Sequence, residues 1–231
     1  MTSSTDTQLI PSRTPPHHDF VPFPSDRARL ELVRGGGAHC APSALADSTV
    51  SVIVLAPDAR AASGAAVRAA LAQSHPAHEV LVVGPDWSTL ARAALELAGA
   101  NATRVRLLAV SRPGLAPAAP RSRRFVRAAQ YLRAALPHVS GDWVAILGED
   151  AAPGATYLAA LLQRARDGSE LVHALDREAP EGTFDGTLFA AALAVLPPHD
   201  HAGWDSMPSD RMWWERLADA GVRVAPGRRA A

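Results

Sequence analysis

The hydrophobic positions of this chain occur in short continuous runs separated by polar segments, a pattern typical of strands buried on both faces of a sheet. The clearest run, at 49–55, is rich in β-branched residues. Five runs are predicted to be strands: 49–55, 79–83, 104–110, 143–147 and 170–175. Burial on both faces favours a parallel sheet over an antiparallel one.

Between these runs, apolar residues recur at three- and four-residue spacing, which predicts helices. Ser63 is the predicted N-cap of the first helix, which ends before Pro76, and Ser122 is the predicted cap of a later one. Three prolines and a glycine predict a loop over 111–120. Further helices are predicted at 87–98, from Tyr157 to about 167, and at 210–220. The order of the predicted strands and helices along the chain indicates right-handed βαβ units in a single α/β domain over residues 49–231.

The first 48 residues have a different composition. They are rich in Ser, Thr, Pro and Gly, including Pro15-Pro16 and Gly35-Gly36-Gly37. Such a segment buries little apolar surface. Residues 1–48 are therefore predicted to be a flexible N-terminal tail.

Charge and residue usage exclude several classes of function. The chain has 23 basic and 23 acidic residues, so no net field attracts it to nucleic acid. Every basic residue is arginine, which excludes Schiff-base chemistry and a phosphate loop with a lysine. Phosphate contacts must come from Arg, backbone N–H groups or a metal.

The chain carries no sign of export or membrane insertion. Cys40 is the only cysteine and is predicted to be a free thiol. There is no signal-peptide pattern and no apolar run of 18 residues. A cytoplasmic bacterial protein without a membrane span is the expectation.

One stretch, 141–150, organises the predicted chemistry. Its five apolar residues, 143–147, follow a Gly-Asp turn and end at Glu149 and Asp150. Open α/β sheets bind their ligands at the carboxyl ends of the strands. An acid there can hold Mg²⁺ or Mn²⁺, which in turn neutralises a diphosphate. Asp150 is the predicted metal ligand, while Glu149 is either an orienting residue behind it or solvent-facing.

The segment 199–214 is rich in His, Asp and Trp. His199 and His201 either join Asp150 at the metal or are ordinary surface residues. Trp204 and Trp214 are predicted to line a cleft, while Trp213 and Leu217 are predicted to face the core.

Two further residues have alternative readings. Asp210 is a candidate N-cap of the helix that it opens, with Ser209 as the other candidate cap. Arg124 belongs to an arginine-rich helix and either holds a phosphate or lies on a solvated face.

The order of several motifs carries a family resemblance. They are 50–54 as the opening strand, Leu71-Ala72-Gln73-Ser74-His75-Pro76 before 79–83, the central stretch 141–150, Gly203-Trp204-Asp205, Ser209-Asp210 and 216–221. From about Val50 to Arg223 the chain resembles the family 2 glycosyltransferases, which have the nucleotide-sugar-binding fold called GT-A.

The chain also departs from that family's pattern. Ala56-Pro57-Asp58 and Gly84-Pro85-Asp86 follow the first two strands where the family has more polar or acidic turns. Gly148 replaces the first acid of the Asp-any-Asp motif, whose second acid is Asp150. Ser209-Asp210 stands where the family has a Glu-Asp pair.

The resemblance implies an inverting, metal-assisted transfer of a sugar from a nucleoside diphosphate sugar to a hydroxyl or amine acceptor. It assigns nucleotide contacts to Asp58 and Asp86, the metal to Asp150 and the role of catalytic base to Asp210, for which an N-cap is the alternative. Glu149 and Arg124 are further predicted nucleotide contacts. The acceptor is expected to contact Trp204, Asp205 and Trp214. The lost acids favour an alternative, an inactive glycosyltransferase-like scaffold that binds a nucleotide or a partner protein.

Overall fold

The computed structural model describes residues 47–56, 63–85, 102–110, 120–165, 168–173, 186–195 and 210–225. The tail prediction for residues 1–48 falls almost wholly outside these ranges, and so does the predicted helix at 87–98. Elements are numbered below in chain order among the described residues.

Six strands form one sheet, and five of them match the predicted strands. Their bounds are β1 Val50–Leu55, β2 Glu79–Gly84, β3 Val105–Ala109, β4 Trp143–Gly148, β5 Leu171–His173 and β6 Thr187–Ala190. The strand predicted at 170–175 begins at Leu171, one residue later than expected, and positions 174 and 175 lie outside the described residues. β6 was not predicted.

The described helices are α1 Ser63–Leu71, α2 Pro120–Ala135, α3 Tyr157–Ala165 and α4 Asp210–Asp219, with short 3-10 turns at Ala102–Arg104, Leu136–His138 and Ala191–Val195. One boundary prediction was wrong. Pro120 begins α2 instead of ending a loop, and Ser122 therefore lies inside the helix and is not its cap. Proline suits a first helical position because its missing N–H would have no intrahelical partner there.

The strand order is β3-β2-β1-β4-β6-β5. β1 pairs in parallel with β2 and β4, and β2 pairs in parallel with β3. β6 is antiparallel to both β4 and β5. The predicted mostly parallel open sheet flanked by helices is confirmed.

Both faces of the sheet are covered. All of β1 is buried, as the continuous apolar run predicted. Apolar side chains on one face of the helices pack against the sheet, including Val67 in α1 and Leu132 in α2. Trp213 and Leu217 of α4 are buried as predicted, and the Trp213 ring packs edge to face against Phe189 of β6, with the ring centroids 5.6 Å apart.

None of the helices in the described ranges is both long and apolar enough to cross a membrane.

The amino ends of β1, β2 and β4 are joined by a buried carboxylate, Glu79. Its Oε1 accepts hydrogen bonds from Ser51 Oγ at 2.7 Å, Ser140 N at 2.7 Å and Ser140 Oγ at 2.8 Å. Its Oε2 accepts one from Arg106 Nη1 at 2.8 Å. Burial raises the pKa of Glu79, but these hydrogen bonds outweigh burial, and the net pKa lies below its ordinary value.

A second set of polar hydrogen bonds joins the amino ends of β1 and β4. Asp142 Oδ2 accepts hydrogen bonds from Thr49 N at 2.9 Å and Thr49 Oγ1 at 2.8 Å, while Asp142 N donates to Thr49 Oγ1 at 3.0 Å. Gly141 has no room for a side chain, because a Cβ there would lie 2.7 Å from Ser51 N. These contacts set the register in which β1 meets β4.

Replacing Glu79 with Gln tests the buried carboxylate. At neutral pH the variant should lose about 1–3 kcal/mol of unfolding free energy, because charged hydrogen bonds are lost inside the fold. Since the folded-state pKa is lowered, this contribution is complete above the unfolded-state pKa of about 4.3 and is lost as the pH falls through the folded-state value. Denaturant unfolding, followed by tryptophan fluorescence, should show the gap between wild type and Glu79→Gln closing in that acid range.

The exposed carboxylate of Asp219 supplies the control. Asp219→Asn should change the unfolding free energy by less than about 0.5 kcal/mol. A gap for Glu79→Gln that stays constant with pH would contradict the role assigned to its charge.

Candidate functional site

The carboxyl ends of β1 and β4 lie side by side at the point where the chain reverses its direction of travel across the sheet. From β1 the chain proceeds outward through β2 and β3, and then returns to place β4 on the other side of β1. Leu55 is paired with Gly148 on one side and with Val83 on the other. Ligands of open α/β sheets bind in the crevice at such a switch point.

A tight turn follows β4 at this edge. Ala151 N donates a hydrogen bond of 3.1 Å to Gly148 O, which closes a four-residue turn around Glu149 and Asp150. The turn separates the two acids, because Glu149 is only 2% exposed while Asp150 is exposed. The solvent-facing alternative for Glu149 was therefore wrong, and Asp150 is the acid that a ligand in the crevice can reach.

The chemistry of Asp150 fits a cation that is shared with a ligand. Within the described ranges no group of three His, Cys, Asp or Glu side chains is arranged to hold a metal. Mg²⁺ at nucleotide sites is typically bound by one or two carboxylates plus substrate phosphates, and it keeps several waters. Among the described residues, Asp150 is an exposed carboxylate at the switch point, and this position suits that mode of binding.

The edge next to β1 is built from backbone and small side chains. Ala56 N donates to Val83 O at 2.8 Å, which extends the pairing of β1 with β2 by one residue. A Cβ on Gly84 would lie 2.7 Å from Ala56 O. Close packing of the two strand ends therefore requires a glycine at position 84.

Most other predicted site residues cannot be placed. Asp58, Asp86, His199, His201, Trp204 and Asp205 lie outside the described residues. For Arg124, Asp210 and Trp214 only the helical backbone is described: Arg124 is in the first turns of α2, and Trp214 is in α4. Asp210 is the first residue of α4, so the cap position before it belongs to Ser209, which is outside the described ranges.

One residue of the site region was missed as a functional candidate. Gln73 was noted only as part of a motif, yet its side chain is buried and bonds to the segment that follows Asp150. The available signal was a long polar side chain just beyond the end of an apolar helix.

Comparison with known proteins shows which fold this is. No protein-family model and no curated protein sequence matches the chain. A solved mannosyltransferase from Pyrobaculum calidifontis, in complex with GDP-Man and Mn²⁺, matches at a TM-score of 0.56 with 20% identity over 88% of this chain and 67% of that one. The fold is GT-A.

Structures of S. aureus TarS match similarly. TarS 1–349 in complex with UDP-GlcNAc gives a TM-score of 0.54 with 14% identity over 79% of this chain and 57% of that one. A longer TarS chain gives 0.53 with 13% identity, over 79% of this chain and only 36% of that one. The chain thus spans about two thirds or less of these proteins, and the likeness establishes the fold alone.

The close approach at Gly84 predicts that even the smallest side chain destabilises the fold at this position. Gly84→Ala should lower the unfolding free energy by about 1–3 kcal/mol, because the added Cβ forces the ends of β1 and β2 apart. Denaturant unfolding measures the loss.

Gly154→Ala is the matched control, because nothing lies within 4 Å of a Cβ built there. That variant should be as stable as the wild type. Equal stability of Gly84→Ala and Gly154→Ala would contradict the packing constraint between β1 and β2.

Proposed function

We propose that the protein is a family 2-like glycosyltransferase that transfers a sugar from a nucleoside diphosphate sugar to a hydroxyl or amine acceptor, with inversion and with Mg²⁺ or Mn²⁺ as cofactor. Residues 49–231 are its catalytic domain and residues 1–48 its tail. The supporting observation is the turn at Gly148–Ala151, which presents Asp150 at the switch point of a GT-A fold and buries Glu149 beside it.

In this proposal the donor lies across the carboxyl ends of β1 and β4. Asp58 and Asp86 contact the nucleotide, and Arg124 balances phosphate charge. The predicted nucleotide contact of Glu149 is replaced by its other predicted role, an orienting residue behind Asp150, because its side chain is buried. Asp150 holds the cation, with His199 and His201 as further candidate ligands. The bound cation stabilises the negative charge of the diphosphate leaving group.

The acceptor lies on the side of α4. Trp204 and Trp214 provide apolar walls, and Asp205 accepts a hydrogen bond from the acceptor. The Asp210 carboxylate takes the proton from the acceptor hydroxyl or amine as that atom attacks the sugar carbon. Its place in the first turn of α4 supports this role, because a helix begins there and holds the backbone of Asp210 fixed.

Asp150→Ala tests the donor site. In wild type, a nucleoside diphosphate with Mn²⁺ should raise the melting temperature more than the nucleotide alone, because a ligand that binds only the folded state stabilises it. A panel of UDP, GDP and their sugar derivatives identifies the base. In Asp150→Ala the additional stabilisation by Mn²⁺ should be lost.

Asp47→Ala is the control for this experiment. Asp47 is an exposed carboxylate that precedes β1, at the opposite edge of the sheet. This variant should keep the full response to Mn²⁺. If Asp150→Ala also kept it, the metal site proposed at the end of β4 would be wrong.

Asp210→Asn tests the proposed base. The variant should bind nucleotide and Mn²⁺ as the wild type does, while its transfer rate should fall by about 10²–10⁴-fold, the usual contribution of a positioned general base. Release of nucleoside diphosphate from the preferred donor, in the presence of an acceptor, measures the rate. Equal loss of nucleotide binding would indicate that Asp210 supports the fold instead.

A second function has a specific observation in its favour. Gly148 stands where the family pattern has an acid, Gly84-Pro85-Asp86 keeps one acid where the pattern has two, and Gly84 is tightly packed against the Ala56 carbonyl. An inactive glycosyltransferase-like scaffold that binds a nucleotide or a partner protein would tolerate these losses. Nucleotide binding without any transfer or hydrolysis of a donor, in wild type, would favour the scaffold.

A further inference from the structure

Gln73 lies two residues beyond the end of α1, and its side chain is 7% exposed. Its Nε2 donates a hydrogen bond of 2.9 Å to Ala69 O in α1 and another of 3.0 Å to Gly154 O. Its Oε1 accepts a hydrogen bond of 3.0 Å from Leu158 N. One buried amide therefore joins α1, the segment after Asp150 and the start of α3.

The contact with Leu158 serves as a helix cap. Leu158 is the second residue of α3, where a backbone N–H has no partner within the helix. Its side chain is 1% exposed, so water does not readily replace the missing partner. The Gln73 amide oxygen, more than eighty residues away in the chain, supplies it.

The segment that carries Asp150 is thereby held at both ends. At its start, Ala151 N bonds to Gly148 O. At its far end, Gly154 O accepts from Gln73, and Ala155 O accepts a 2.7 Å hydrogen bond from Ser74 N. Only Ala152 and Pro153 lie between the closed turn and this anchor.

From this geometry we infer that Gln73 is a positioning residue for Asp150, a role that rests on the proposed function. By fixing the chain at Gly154, it limits the conformations available to the turn and keeps the exposed carboxylate at the switch point. Residues that orient a metal ligand from behind contribute to metal affinity although they do not touch the ion.

Gln73→Glu separates positioning from capping. The substitution keeps an oxygen that can accept from Leu158 N, but it removes both N–H donors and places a carboxylate against the carbonyl oxygens of Ala69 and Gly154. The start of α3 should therefore stay capped while the tie to Gly154 is lost. Hydrogen exchange measured without ligand should show the Leu158 amide still protected, and the Ala151 amide exchanging faster than in wild type.

The functional readout is a Mn²⁺ titration at a fixed saturating concentration of the nucleoside diphosphate selected by the panel. The Mn²⁺ concentration for half of the maximal rise in melting temperature should increase by about 10-fold in Gln73→Glu. Gln163→Glu is the matched control, because Gln163 is exposed on α3, and it should leave this concentration unchanged. In an Asp150→Ala background, Gln73→Glu should have no further effect on the Mn²⁺ response.

Two negative outcomes are distinct. If Gln73→Glu lowers the melting temperature without ligand but leaves the Mn²⁺ concentration unchanged, Gln73 supports only the fold and the inference is overturned. If Asp150→Ala itself leaves the Mn²⁺ response intact, the proposed metal site fails and the role of Gln73 falls with it. Should Gln73→Glu not fold, Gln73→Asn, which retains both groups on a shorter side chain, replaces it in the Mn²⁺ titration, where an unchanged Mn²⁺ concentration would again overturn the inference.

Discussion

The structure depends on the parallel pairing of β1 with β4. This pairing places two strands from distant parts of the chain next to each other along their whole length, and it creates the switch point at their carboxyl ends. Polar contacts at the opposite edge hold the register, with Thr49 bonded to Asp142 and Gly141 N bonded to Ser51 Oγ at 2.8 Å. Since the strand period is two residues, a shift of one residue would move every side chain of β4 to the opposite face of the sheet.

Much of the fold followed from the residue pattern. Continuous apolar runs such as 49–55 predicted buried parallel strands, and the Trp213 and Leu217 spacing predicted the inner face of α4. The four-residue strand β6 was missed because Thr187–Ala190 is too short to show a clear pattern, and its direction is set by pairing with β4 and β5. The start of α2 at Pro120 was misread since proline is compatible with both a loop and a first helical position.

The candidate site was less accessible to prediction. The two acids at the end of β4 were identified from the sequence. Their opposite burial arises from a turn that is closed by the hydrogen bond from Ala151 N to Gly148 O, and the sequence alone does not reveal that bond. The packing that requires Gly84 involves a carbonyl of another strand. Gln73 acts through partners at Gly154 and Leu158, so nothing local to it indicates its contacts. The GT-A fold is confirmed, whereas the activity and the roles of Asp58, Asp86 and His199 stay predictions.

Because β1 pairs with a strand that is distant in the sequence, the two halves of the sheet can form only at different times during synthesis of the chain. β2 follows β1 closely, so this half of the sheet can assemble while the nascent chain is still short. The other side of β1 has no partner until Trp143–Gly148 leave the ribosome. Non-local pairing of this kind is slow and leaves a strand edge exposed meanwhile. Premature termination before β4 would therefore release a fragment whose most apolar strand is open to association with other chains.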